Sequence, residues 1–181
     1  AYFVQLDTDG SVFVLGQSLG AYPVTAGRYV NPGSHQFIHK LDADLRTTSF
    51  ATVFGSGRST IDISPTAFLV DQCNRIYVSG WGGTLNTHYV PASSNGTTFG
   101  LPVSAGAAQP TTDGGDFYLL ALSPEARALE YATFYGSYDP LVGDHVDGGT
   151  SRFDPRGVVY QSVCSCGSGS WPVPPGAHTY T

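Results

Sequence analysis

Short apolar runs separated by turns of Asp, Gly and Asn fill this chain, and no window carries a sustained i, i+3, i+4 apolar stripe. Residues 66–83, T-A-F-L-V-D-Q-C-N-R-I-Y-V-S-G-W-G-G, show the unit most clearly. An apolar run leads into a polar turn at Asp71–Asn74; a second run, β-branched and aromatic, leaves through a Gly-rich exit. Two such runs about a tight turn predict an antiparallel hairpin. The same order appears upstream: Tyr2–Leu6 and Ser11–Gly16 flank Asp7-Thr8-Asp9-Gly10, and Gln36–Leu41 and Ser49–Gly55 follow. Thr66–Val70, Arg75–Gly80, Asp116–Leu122 and Glu130–Gly136 then repeat it. The best helical candidate, Pro124–Leu129, is about one turn and a half long and reads as a turn between strands.

The halves match at several landmarks. Phe50-Ala51-Thr52-Val53-Phe54-Gly55-Ser56 corresponds position for position to Tyr131-Ala132-Thr133-Phe134-Tyr135-Gly136-Ser137. The stretches from Phe37 and from Phe117 match with the register soft by one residue. A third copy begins near residue 148, where Ser151–Tyr160 echoes Phe68–Tyr77. The signature aromatic-or-Leu, Pro, Val, two residues, Gly occurs three times, at Tyr22, Leu101 and Trp171. Four short antiparallel strands per unit, with units in tandem, is the plan of propeller blades. The expected fold is all-β: a β-propeller fragment of four-stranded antiparallel blades, about two and a half of them. Blade 1 spans residues 1–57, blade 2 spans 65–137 with a long loop over 81–115, and a partial blade 3 spans 148–181. A ring usually takes about four to eight blades, so this is expected to be an excised part of a longer propeller or an assembling subunit. The opening directly inside a strand supports the same expectation.

Composition narrows the class. Charged residues make up only 12% and aromatics 13%, the reverse of a disordered chain. A net charge of −6 with eight Lys and Arg argues against nucleic acid, whose phosphates need clustered cations, and against an anionic membrane surface. No run of about 18 apolar residues could insert as a membrane helix. The absence of Met, the few Lys and the many Thr, Ser, Gly and Tyr suit a secreted or cell-surface protein. Asn95-Gly96-Thr97 is a formal glycosylation acceptor.

These landmarks resemble the SBBP-type, seven-bladed β-propeller repeat of bacteria. They are the D-x-x-G/N turn, the apolar strand ending in Gly, the Pro-Val signature, F-[IY]-x-[KL]-[LA] and [FY]-A-T-[VF]-[FY]-G-S. The resemblance covers nearly the whole chain and is greatest to the versions in large exported, adhesin-like surface proteins of gliding bacteria. It implies secretion, surface display and tandem repeats, and it brings no catalytic motif. The chain departs from the pattern in its long loop after Trp81 and in Ser162–Gly167, which replaces the Gly-rich exit.

Candidate chemistry is sparse. Tyr22, Trp81, His88 and Trp171 are the candidate ligand-binding residues. Exposed aromatics there could stack on sugar rings, although aromatics that plug the gap between blades are the more frequent arrangement. Asp144, His145, Asp147, Cys164 and Cys166 share one expected face and form an adequate zinc set, but their spacing matches no finger, and loop-bracing by the aspartates is the favoured reading. The D-x-D turns at Asp7 and Asp42 have calcium-like spacing without the remaining acidic positions, and Asp and Gly are ordinary turn residues. Cys73 lies in a turn on the opposite face, so it is expected not to pair with Cys164 or Cys166; a buried free thiol is the alternative. There is no G-x-S-x-G elbow, and the only glutamates, Glu125 and Glu130, sit in one hairpin region, so a glycosidase would need Asp in both roles. The expectation is a non-enzymatic structural and interaction module without a cofactor, serving as display platform or assembly unit. Its expected partners are further blades or other subunits at exposed strand edges, or a surface protein or glycan. A lectin-like face is the alternative, and a hydrolase a weaker one.

Overall fold

A computed structural model of the chain describes residues 1–83, 96–139, 143–146, 151–164, 170–173 and 176–177. The first four predicted runs form β1 (Phe3–Leu6), β2 (Val12–Gln17), β3 (Gln36–Leu41) and β4 (Thr48–Phe54). They pair in sequence order as one antiparallel sheet. The next four form an identical sheet from β5 (Ser64–Val70), β6 (Ile76–Trp81), β7 (Phe117–Leu122) and β8 (Leu129–Tyr135). A hairpin of β9 (Ser151–Phe153) and β10 (Val159–Gln161) follows. The chain is all-β and built of four-stranded antiparallel blades. Pro124–Ala126 makes a single 3-10 turn between β7 and β8, as its length implied.

Each recurrent signature has a physical reason. In the three hairpin turns, Asp7, Asp71 and Asp154 each accept the N–H groups two and four residues ahead through one carboxylate oxygen. The residue three ahead, Gly10, Asn74 or Gly157, takes a positive φ of 85°, 62° or 80°. Only Gly and Asn adopt that region readily, which explains the D-x-x-G/N spacing. The Pro-Val connection returns along the outer edge of the last strand. Thr25 N–H donates to the Ala51 carbonyl (2.8 Å) and the Thr25 hydroxyl accepts Ala51 N–H (3.0 Å). Ser104 and Ala132 repeat both bonds at 3.1 Å. The outermost strand edge is thereby covered in both sheets, which protects it from pairing with another chain.

The core lies between the sheets. Phe13, Leu15, Ile38 and Phe50 on one face of the first sheet meet Val70, Ile76, Val78, Tyr118, Leu120 and Phe134 on the facing side of the second, all buried. Gln5 adds a bidentate bridge, donating to the Val70 carbonyl (2.9 Å) and accepting Val70 N–H (2.8 Å). Lys40, almost fully buried, joins Asp7 and Glu125 at 3.0 Å each across the same interface. Burial alone would lower its pKa, but the hydrogen bonds that it donates to Glu125 and Asp7 carry it above the ordinary lysine value. The opposite face of the second sheet meets the third unit, where Tyr77 packs on Phe153 at 5.7 Å between ring centroids.

One boundary differs from expectation. The sequence places Trp81 in the exit after β6, whereas the strand runs on through it, pairing Trp81 with Ser64 and Phe117. Alternation then turns its ring into the gap between second and third units, where it is 5% exposed and lies 5.6 Å from the His145 ring.

Candidate functional site

The connections between second and third strands, and those from fourth strands to the next unit, gather on one face and define two clefts. The larger, about 560 Å³, lies beside the first sheet and is lined by Tyr22, Val24, Val30, Pro32, His35 and Val53. Tyr22 is held there on two sides. Its ring stacks on Phe37 at 4.0 Å with planes 10° apart, and its hydroxyl meets His39 Nδ1 at 2.8 Å. Burial raises the Tyr22 pKa and lowers that of His39, so a neutral pair shares this bond. The smaller cleft, about 300 Å³, lies beside the second sheet, with Thr97, Phe99, Asp113 and Asp139 around glycines 83, 115 and 143.

Beneath these clefts each sheet carries one clamp, built on the Gly-Ser that ends its last strand. Asp62 accepts Ser56 N–H (2.8 Å) and the Ser56 hydroxyl (2.6 Å). Asp144 accepts the same two groups of Ser137 at 2.6 and 3.1 Å. A Cβ on Gly55 or Gly136 would lie 2.5 or 2.7 Å from the clamping carboxylate, so only glycine fits before the serine. The third member differs. In the first sheet it is Gln36, whose amide, oriented to suit its neighbours, donates to the Phe54 carbonyl and accepts Asp62 N–H (2.8 Å) and Ile63 N–H. In the second it is Asp116, whose carboxylate accepts Asp113 N–H (3.3 Å) and lies 3.5 Å from Gln109 Nε2.

Charge diverges further. Three residues after the glycine the first sheet has Arg58, which pairs with Asp62 and donates to the Thr97 carbonyl (2.7 Å). The second has Asp139, whose N–H donates to Asp113 (2.6 Å). Burial pushes the Asp116 carboxyl up to about 6, and the Asp113 and Asp144 carboxylates push the same way against a hydrogen bond from Thr112. Asp116 has no exposed surface and does not line the cleft.

The remaining candidates are placed as follows. Trp81 is buried, as described, and is therefore a plug between units rather than a stacking platform. Trp171 is half-buried against Tyr135 at 5.2 Å, again across that gap. Of the candidate aromatics, Tyr22 lines a cleft; His88 lies outside the described residues. Of the zinc set, His145 and Cys164 stand opposite one another, exchanging backbone bonds of 3.2 and 2.8 Å. The Asp144 carboxylate is turned to Ser137, and Asp147 and Cys166 lie outside the described residues. Among the described residues no group of three or more His, Cys, Asp or Glu gathers as a metal would require. Cys73 is an exposed free thiol, not a buried one, because its turn points away from the core. The acidic cleft of Asp113 and Asp139 is absent from the sequence-based candidates, although the change from Arg58 to Asp139 at matched positions was there to be read. No family model matches this chain, and no curated protein matches it.

Proposed function

We propose that the chain is a non-enzymatic structural and interaction module of an exported surface protein, a pair of complete propeller-type blades and part of a third. The observation that carries this reading is the fate of the repeated polar residues. Asp62 and Asp144 clamp Ser56 and Ser137, Thr25 and Ser104 hold Ala51 and Ala132, and three aspartates close the hairpin turns. These hydroxyls and carboxylates are engaged in holding backbone, in matching places in successive units. Such a framework suits a rigid platform. The resemblance to the SBBP-type repeat supports display outside the cell. A membrane-impermeant thiol-directed label, with exposed Cys73 as its target, applied to intact cells producing the protein is expected to mark it; protection in intact cells with labelling only after lysis would reject surface display.

The Tyr22 cleft favours glycan as a second reading. It is apolar, it carries a tyrosine fixed by Phe37 and His39, and it is roomy enough for one sugar ring. Glycan-array binding that is lost in Tyr22→Ala would establish it, and an array with no bound glycan would remove it.

A further inference from the structure

The first sheet has a second face, turned away from the core, and the internal repeat shows what such a face receives. By position from the hairpin aspartates, Val4, Leu6, Val12 and Val14 correspond to Phe68, Val70, Ile76 and Val78. In the second sheet three of these are 0–5% exposed and Phe68 is partly buried, because the first sheet lies on them through Phe3, Gln5, Phe13 and Leu15. In the first sheet Val4 is 66% and Leu6 61% exposed, with Val12 and Val14 half-buried. The outer half of the same face is already covered, since Tyr22 stacks on Phe37 and bonds His39. What remains open is an apolar strip two strands wide.

At the other end of the stack, the β9–β10 hairpin is two strands wide and turns exposed apolar side chains outward. Tyr160 is 56% and Val158 47% exposed, while Phe153 and Gln161 face back onto Tyr77 and Ser79. Tyr160 stands at the place of Phe13, and Arg152 at the place of Gln5 with donors for the Leu6 carbonyl. We propose that the outward face of β1 and β2 docks the β9–β10 hairpin of a second copy of this chain, head to tail, continuing the stacking by which the first sheet covers the second. The inference rests on the module reading above but fails separately from it. Such a contact joins unlike surfaces, so it closes a ring or grows a chain of copies.

Sedimentation of the 181-residue chain over a concentration series tests this. The weight-average mass is expected to rise towards at least the dimer, and Val4→Glu/Leu6→Glu and Tyr160→Glu are each expected to abolish the rise. All three positions are exposed, and unchanged circular dichroism would confirm that the variants fold. Mixing the two variants is decisive, because each retains the surface the other has lost: a one-to-one dimer is expected, in which neither partner can add a third copy. A wild-type chain that stays monomeric overturns the proposal and leaves a blade of the same polypeptide as the occupant. Association that survives Tyr160→Glu, or a mixture that stays monomeric, overturns it as well. A monomeric chain that is still labelled on intact cells would leave the module reading standing.

Discussion

The two complete sheets end their last strands with the same Gly-Ser and the same returning aspartate, yet treat the charge of that aspartate in opposite ways. The first brings Arg58 and the neutral amide of Gln36 to Asp62. The second places Asp116, Asp113 and Asp139 in the neighbourhood of Asp144, and burial first, with the Asp113 and Asp144 charges adding to it, pushes the Asp116 carboxyl up to about 6. The backbone geometry depends on the carboxylate's two acceptor oxygens and tolerates either electrostatic solution. The surrounding charge is free to vary, and with it the character of the cleft above.

Removing the clamp separates the two solutions most strongly. Asp62→Ala leaves Ser56 N–H and hydroxyl without an acceptor and Arg58 without its carboxylate, so a loss of about 4 kcal/mol is expected in urea unfolding. Asp144→Asn keeps one acceptor oxygen and removes one negative charge from an acidic neighbourhood, and should cost under about 2 kcal/mol. Equal losses would break the comparison.

The pH dependence comes next. The folded pKa of Asp116, about 6, lies above the ordinary 3.8, so between these values the folded state binds more protons than the unfolded one. Its contribution is therefore present below about pH 3.8, falls as pH rises, and is lost above about pH 6, a swing of about 3 kcal/mol. Asp116→Asn should remove that slope, measured as the difference between wild-type and variant unfolding curves from pH 4 to 7. Parallel curves would show that Asp116 titrates normally.

The edge clamps should not distinguish the sheets at all. Thr25→Val and Ser104→Ala each remove a hydroxyl that accepts a backbone N–H, at about 1 kcal/mol apiece. A large disparity in denaturant midpoint would mean that the two connections brace their edges differently. The smallest effect is a transplant. Asp139→Arg writes the residue of the first sheet into the second and should gain about 0.5 kcal/mol, lost in high salt. A salt-independent change would point to packing rather than charge.

Most of the architecture was legible in the chain. Eight strands, the turn chemistry and the four-strand unit follow from alternation, from Asp and Gly at fixed offsets, and from the repeated [FY]-A-T-[VF]-[FY]-G-S. These are local or near-local signals, set by backbone sterics and by hydrogen bonds that span a few residues. The function of Thr25 and Ser104 was not legible, because their partners Ala51 and Ala132 lie 26 and 28 residues on. The exit tryptophan was misplaced for a related reason: a single residue added to β6 decides which face Trp81 takes, and only its pairing with Ser64 and Phe117 settles that register.

The sequence by itself determined the element order, the unit length and which faces are apolar, since those depend on periodicity and turn geometry. Tertiary structure alone decided which apolar face meets which. It buried Trp81 and left Tyr22 lining a cleft, set Asp116 among other carboxylates, and left Val4 and Leu6 exposed while their counterparts Phe68 and Val70 are covered. Such outcomes depend on neighbours distant in the chain, and a β repeat gives equivalent residues different neighbours at its ends and in its middle.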